Sequence, residues 1–511
     1  MIYDRIPETH LLKRIDKAVD FSFINDLLAD QYCRNFGRPA KEPEMMMKLL
    51  FLQSIYTWSD VNVLENANVN IAILNFLGVE PDEKLPDPSL LSKFRTQRLK
   101  EFTLDDVITE IVRQCVENGT VKGDGVSIDA THIEANTVKK IPERIMKHLA
   151  KRIFKGLEKD HGSVPDHVDT GIPNYKTIED HNEARQVMKT YLEKVMEEAE
   201  PYAGEETSAA LAEAKEVLSD ERFMIQKGLR SLVDKEARVG SKSKTEHFFG
   251  YKDEYMMTTE ERLITAVMVH NGEYVDGSSY KFLMENTQAA GIQPKEIYGD
   301  KAYFRKDILE QIKEMKAAAY IPVSASVYKV NEERFCYNKD SDQWICNMGN
   351  TTIRKTSGKE KKRGKEYPYL KYYFDKEQCQ HCPHRESCLG KNDGKQKTMR
   401  VSLNTSEYYE ISQKQQTPEF QEKYKKRAAH EWKNAEQKRF HGLARAKGFG
   451  LKSVTIQAKL TAIAVNLKRI AALNSGTETT PSAAFELIVR FSYYFVERLT
   501  IYPNYSLTCA M

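Results

Sequence analysis

A chain of 511 residues, 41% hydrophobic and 30% charged, has material for roughly two to four packed domains and is no disordered tail. It contains no run of about 18 apolar residues, and its first stretch, MIYDRIPETHLLKRID, lacks the apolar segment of a secretory signal, which predicts a cytosolic protein. Eight cysteines in a reduced chain of this length do not form a disulfide framework, and the net charge of +3 is informative only through its distribution: acids gather at 179–206, cations at 354–371 and 423–452.

Residues 1–118 read as an all-α domain. Pro43 sits where a helix start tolerates it in EPEMMMKLLFLQSIYTW. Ser59 can cap the next helix, and Gly78 can end that stretch. Asp87-Pro88 opens PSLLSKFRTQRLKEF, which carries Lys93, Arg95, Arg98 and Lys100. Two readings stay open here: a helix-turn-helix-like DNA-binding module, or a helical bundle with a basic surface. From 119 to 475 the texture is mixed. VSIDA is a β-branched run ending in Asp129, and a charged helical insertion occupies about 140–233. EHFFGYKDEYMMTT and LITAVMVHNG predict a hairpin, KEIYGDKAYF a strand ending at Asp300, and AAAYIPVSA a further strand. Residues 326–415 read as an irregular insertion rich in Cys, basic and aromatic residues. Helices at 424–438 and 453–473 follow, and 476–511 is a tail with a short apolar helix. The fold class is mixed α+β.

Three carboxylates draw attention: Asp129 and Asp300 at predicted strand ends, and Glu431 among cations in YKKRAAHEWKNAEQK. Acids from two neighbouring strands and a packed helix suit a divalent-metal site for phosphodiester chemistry, where hard oxygen ligands hold the ions. Tyr424, Arg427, Glu431 and Lys438 are spaced by three, four and seven residues, which on a helix makes one stripe. Ala428, Trp432 and Ala435 are expected to supply apolar packing beside it. The competing reading is an exposed Arg427–Glu431 pair at i,i+4, worth a few tenths of a kcal/mol.

VSIDATHIEANT, IYGDKAYF and YKKRAAHEWKNAEQKRFHGLARAKG together resemble the DDE transposases of bacterial insertion sequences. The last stretch matches that group's Y-(2)-R-(3)-E-(6)-K signature at Tyr424, Arg427, Glu431 and Lys438; a mild departure is Ala302, where relatives often have Gly. The resemblance implies an RNase H-like catalytic core with a helical and a Cys-rich insertion. Asp129, Asp300 and Glu431 would then be the catalytic triad holding Mg²⁺ or Mn²⁺. Tyr424, Arg427 and Lys438 would contact double-stranded DNA at the element's end. His441, just past Lys438, either approaches the same DNA or makes a helix-end interaction. The implied activity is cleavage at terminal inverted repeats and transfer of the 3′-hydroxyl end into target DNA, by a homo-oligomer that works at the nucleoid. Two alternatives are kept: a nuclease of the same core that does not join strands, and a catalytically silent DNA-binding protein derived from a transposase.

The insertion holds CQHCPHRESC, with Cys379, Cys382 and Cys388, and Cys346 lies upstream in QWICNMG. Four thiolates make a structural zinc site; Cys336, His381 and His384 compete for a place in it. The other reading is reduced cysteines packing a loop-rich segment. The basic run 354–371 would loop out between these ligands, to track a DNA backbone or to sit in solvent.

Overall fold

In the computed structural model, residues 2–32, 41–221, 223–224, 230–243, 245–362, 364–389 and 396–474 are described. The expected tail helix within 476–511, Cys33 and Cys509 lie outside them. No helix among the described residues is long and apolar enough to cross a membrane.

The site is built on a six-stranded sheet of β1 (Gly125–Glu134), β2 (Arg238–Ser241), β3 (His247–Thr258), β4 (Ile264–Asn271), β5 (Glu296–Tyr298) and β6 (Ala318–Tyr320). The order is β2-β3-β1-β5-β6, and β2 and β4 share one edge of β3 end to end. β1 runs antiparallel to β3 and parallel to β5, and β5 parallel to β6. Its first residues, Val126, Ser127 and Ile128, are buried on both faces, as a central strand requires. The predicted hairpin is the β3–β4 pair.

Two helices buried nearly all round fasten the N-terminal region to this sheet. In Pro43–Tyr56, Met45 to Leu52 are all buried; in Leu451–Leu473, Gln457 to Leu467 are. A helix apolar on every side belongs in a core. The last helix packs on β4, on Pro43–Tyr56, on Leu11–Ala18 and on Thr103–Glu117. One hydrophobic cluster therefore runs from Leu12 through Ile128 to Ile470. Polar pins fix the register: the Asn466 amide exchanges two hydrogen bonds with the Ile264 backbone (2.8 and 2.7 Å), and Lys459 pairs with Asp105 with both side chains 5% exposed.

The helical insertion forms Pro142–His161, His181–Ala199 and Glu205–Ser219 around its own core, including Ile145, Leu149, Ile153, Met188, Leu192 and Leu211. The Cys-rich insertion is more regular than its sequence suggests. It contains a β7 (Phe335–Asn338) and β8 (Gln343–Cys346) pair, and a three-stranded sheet of β9 (Thr352–Lys362), β10 (Lys365–Phe374) and β11 (Thr398–Ser402). The basic run 354–371 is thus a β-ribbon, not a loop. Thr and Tyr between the cations favour strands, and cross-strand pairing stacks the cations on rings. Arg354 lies 5.0 Å over Tyr373, and Arg400 lies 3.7 Å over Tyr369.

Candidate active site

Asp129 lies in the middle of β1, opposite Tyr255, rather than at a strand end. The strand outlasts VSIDA because THIE continues its pairing with β3. Asp300 stands two residues past β5 and caps the short 3-10 turn Lys301–Tyr303, its Oδ1 accepting from the Ala302 N–H at 2.7 Å. Glu431 projects, exposed, from the first turn of the helix Ala428–Phe440.

The expected single stripe is interrupted. Pro418–Tyr424 is one helix, Lys425–Arg427 a 3-10 turn, and Ala428–Phe440 a second helix. Three residues per turn splay three successive side chains about 120° apart. Each cation finds a different acid: Lys425 meets Glu422, Lys426 meets Glu260 at 2.6 Å, and Arg427 meets Asp129 at 3.4 Å. The turn thus aims Arg427 at Asp129 in the middle of the sheet, while Lys426 also lies 3.9 Å from Glu296 at the start of β5. Asp129, Tyr424, Asp300 and Glu431 all act electrostatically on the Arg427 guanidinium, and Asp129 is the carboxylate in direct contact with it. Burial pushes the Asp129 carboxyl up to about 6, Arg427 opposes this, and Asp300 adds to it. A carboxylate raised in this way, with a second acid beside it and one guanidinium as counter-charge, retains affinity for further cationic charge.

The packing face of the Ala428–Phe440 helix also differs from expectation. Its buried residues are Ala429, His430, Lys433 and Gln437. Ala428 is exposed, Ala435 half-buried, and Trp432 is 52% exposed, its ring 4.7 Å from the Arg262 guanidinium. The helix rests on a polar floor. Tyr255 Oη donates to Asn434 Oδ1 at 2.8 Å, and the His430 ring packs 4.8 Å from that of Tyr255. Lys438 is half-buried, 3.3 Å from His132 Nδ1, and burial lowers its ammonium to about 8 with Lys242 contributing. Tyr424 stacks on Phe420 at 5.9 Å.

His441 is turned into the core, which favours the helix-end reading of this residue. It is 1% exposed, with Nδ1 2.9 Å from the Ser54 carbonyl and Nε2 3.3 Å from Lys468 Nζ, so it fastens the helix end to the core.

Two carboxylates went unnoticed in the sequence, although adjacent acids inside the apolar strand FFGYKDEYMMTT are a visible signal. Glu254 is fully buried and accepts from the Gly277 N–H (2.6 Å), Tyr303 Oη (3.0 Å) and Tyr274 Oη (2.9 Å). Tyr303 belongs to the turn that Asp300 caps, so Glu254 holds that turn against β3. Asp253, 1% exposed, has both carboxylate oxygens buried without a hydrogen-bond partner. Burial lifts it to about 7, opposed by Lys438 and Lys459 and reinforced by Glu254. Its folded-state pKa exceeds the unfolded one, so its stabilising effect is complete below about pH 4 and lost as pH rises through 7. Asp253→Asn is therefore expected to match wild type near pH 4 and to gain on it toward pH 7, by at most about 1.4 kcal/mol per pH unit. Urea melts at several pH values check this; a constant difference would contradict it.

Among the described residues, no group of three or more His, Cys, Asp or Glu side chains stands in a ready-made metal-holding arrangement. The donor types near Arg427, three carboxylates with those of Asp129 and Asp300 half-buried, nonetheless suit a hard divalent ion.

Comparisons with known proteins bear on both ends of the described chain. Residues 1–97 match a family described as a transposase domain (DUF772), and residues 345–471 match the transposase DDE domain. No curated protein matches. Among solved structures, a piggyBac transposase synaptic complex with hairpin DNA aligns over 98% of this chain and 82% of that one. Its identity is 9% and its TM-score 0.30, too weak a likeness to weigh. The second match covers Tyr424, Arg427, Glu431 and Lys438, and the two matches together support a DNA transposase of the DDE class.

Proposed function

We propose that this transposase cuts DNA at the terminal inverted repeats of a bacterial insertion sequence and joins the freed 3′-hydroxyl to target DNA, on an RNase H-like core. The observation that carries this reading is Arg427, paired with Asp129 at 3.4 Å and within electrostatic reach of Asp300 and Glu431. The sheet order, with β1 antiparallel to β3 and parallel to β5, supports the core assignment.

Asp129, Asp300 and Glu431 would hold Mg²⁺ or Mn²⁺. When bound, the ions supply activation of the attacking oxygen and stabilisation of the leaving one. The chain's own residues position the strand. Arg427 has the planar fork that grips a phosphate in two places, and Lys438 is a desolvated point charge that a phosphate oxygen would restore to full protonation. Tyr424 offers a half-buried ring and hydroxyl beside them. Glu254, through Tyr303, keeps the Asp300 turn in place, which matters because small misplacements at a reacting centre are costly. The helical N-terminal region, with Arg95 and Lys93 near its surface, is assigned to DNA binding, and the active form to a homo-oligomer holding two ends.

A strand-transfer assay separates the three readings. With a labelled duplex carrying a pre-cleaved end, plasmid target and Mg²⁺, the transposase is expected to give joined products. Cutting of an intact end without joining identifies a nuclease. Binding without either reaction identifies a silent DNA-binding descendant.

A further inference from the structure

The Cys-rich insertion carries a site that lies outside the DNA chemistry. Cys346 ends β8, Cys379 lies in the short helix Lys376–Gln380, Cys382 follows in the turn, and Cys388 lies in the helix Arg385–Leu389. All four line one cavity of about 300 Å³, together with Phe335, Asn350, Phe374 and Lys397. None is in a disulfide. Cys379 has Cys388, Cys346 and Cys382 as its neighbouring thiols. We infer that Cys346, Cys379, Cys382 and Cys388 bind a structural zinc ion at the base of the β9–β10 ribbon.

Two observations favour this over reduced thiols packing a loop, and two more choose its ligands. The sulfur of Cys379 is already an acceptor: Asn350 Nδ2 donates to it at 3.1 Å, and the Lys397 backbone N–H donates to it as well. Hydrogen bonds from amide donors are the outer support that a zinc-bound thiolate uses. Strand register settles the choice of fourth thiol. Phe335 pairs with Cys346 and faces the cavity, so its neighbour Cys336 points the other way and is exposed. His381 lines the cavity but its Nδ1 lies 2.9 Å from the Glu377 carbonyl, and His384 does not line it. Last, the buried apolar cluster here is small: Phe335, Trp344, Tyr372, Phe374, Cys379 and Met399. A segment with so little core needs a staple, and soft thiolates in a tetrahedral set select zinc. Since the four sulfurs are not in a closed cage, zinc binding includes their deprotonation and their turning inward, which couples metal uptake to ordering of the ribbon's base.

This inference does not depend on the transposase reading, and neither does its test. Full-length chain, expressed without a polyhistidine tag, is analysed by elemental mass spectrometry. About one zinc per chain is expected. Cobalt substitution should give sulfur-to-metal charge-transfer bands with the d–d bands of a tetrahedral site. Cys346→Ser and Cys382→Ser should each lose the metal, whereas Cys336→Ser should retain it. Limited proteolysis of the chelated chain should cut first within 326–415 while the 119–325 region stays intact. Full-length folded protein that takes up no zinc overturns the inference. So does iron with acid-labile sulfide in place of zinc, or retention of the metal by Cys346→Ser together with its loss from Cys336→Ser.

Discussion

Alanine at Asp129, Asp300 or Glu431 is expected to slow strand cleavage by roughly a thousand-fold or more, about 4 kcal/mol of transition-state stabilisation, without unfolding the protein. Each removes one of the three carboxylates whose charge acts on Arg427. The fold survives because the only contact between elements that these variants remove is the 3.4 Å Asp129–Arg427 ion pair. Glu431 is exposed, Asp300 bonds within its own turn, and Asp129 is a half-buried acid raised to about 6 whose ion pair is with Arg427. Asp129→Ala removes that desolvated charge and leaves Arg427 with Asp300 and Glu431, so its melting midpoint should move by only a few degrees. Arg427→Ala gives the complementary result: end-DNA binding weakens and cleavage falls, but divalent-ion affinity does not, since the carboxylates remain. Cleavage of an end-labelled duplex in Mg²⁺, run beside thermal melts, reads both. Cleavage at the wild-type rate by all three carboxylate variants would remove these residues from the chemistry.

Lys459→Met is expected to destabilise the protein by about 3–5 kcal/mol, because it leaves Asp105 buried without its counter-ion. The pair joins Thr103–Glu117 to the last helix, with both side chains 5% exposed. Burial raises Asp105 even with Lys459 opposing, so the variant pushes it higher still. The sign follows: a raised folded-state pKa means the penalty is greatest at neutral pH and vanishes once Asp105 is protonated in both states, below about pH 4. Asp105→Leu combined with Lys459→Met should recover most of the loss, since apolar pairs of similar volume often replace buried ion pairs without cost. Chemical denaturation at pH 7 and pH 4 distinguishes these outcomes. A single variant as stable as wild type at pH 7 would show that the pair does not fasten the N-terminal helices to the core.

Much of the element content was legible because local chemistry determines it. Ser59, Asp87 and the Gly78 stop act within one turn, and all three behave as their residue types require. The β3–β4 hairpin and the two helical stretches that frame the described chain follow from apolar spacing. The ribbon at 354–371 was not legible. Lys and Glu alternate there with Tyr and Thr, so charge suggests a solvated loop, and only cross-strand pairing shows the rings accepting the cations.

The sequence by itself singled out the residues proposed for the chemistry: three acids of hard donor type, an Arg and a Lys at signature spacing suited to a phosphate, and a Cys-x2-Cys pincer with two further thiols. Identity and spacing along the chain are enough for that. Tertiary structure alone decided which of them meet. It placed Asp129 mid-strand, broke the helix so that Arg427 points at the sheet, and buried His441 against Ser54. It also turned Cys336 away from the cavity that Cys346 lines. These outcomes depend on strand register, on the 3-10 turn and on helix packing across hundreds of residues. Such contacts are set by the balance of burial and pairing over the whole core, and no local stretch encodes them.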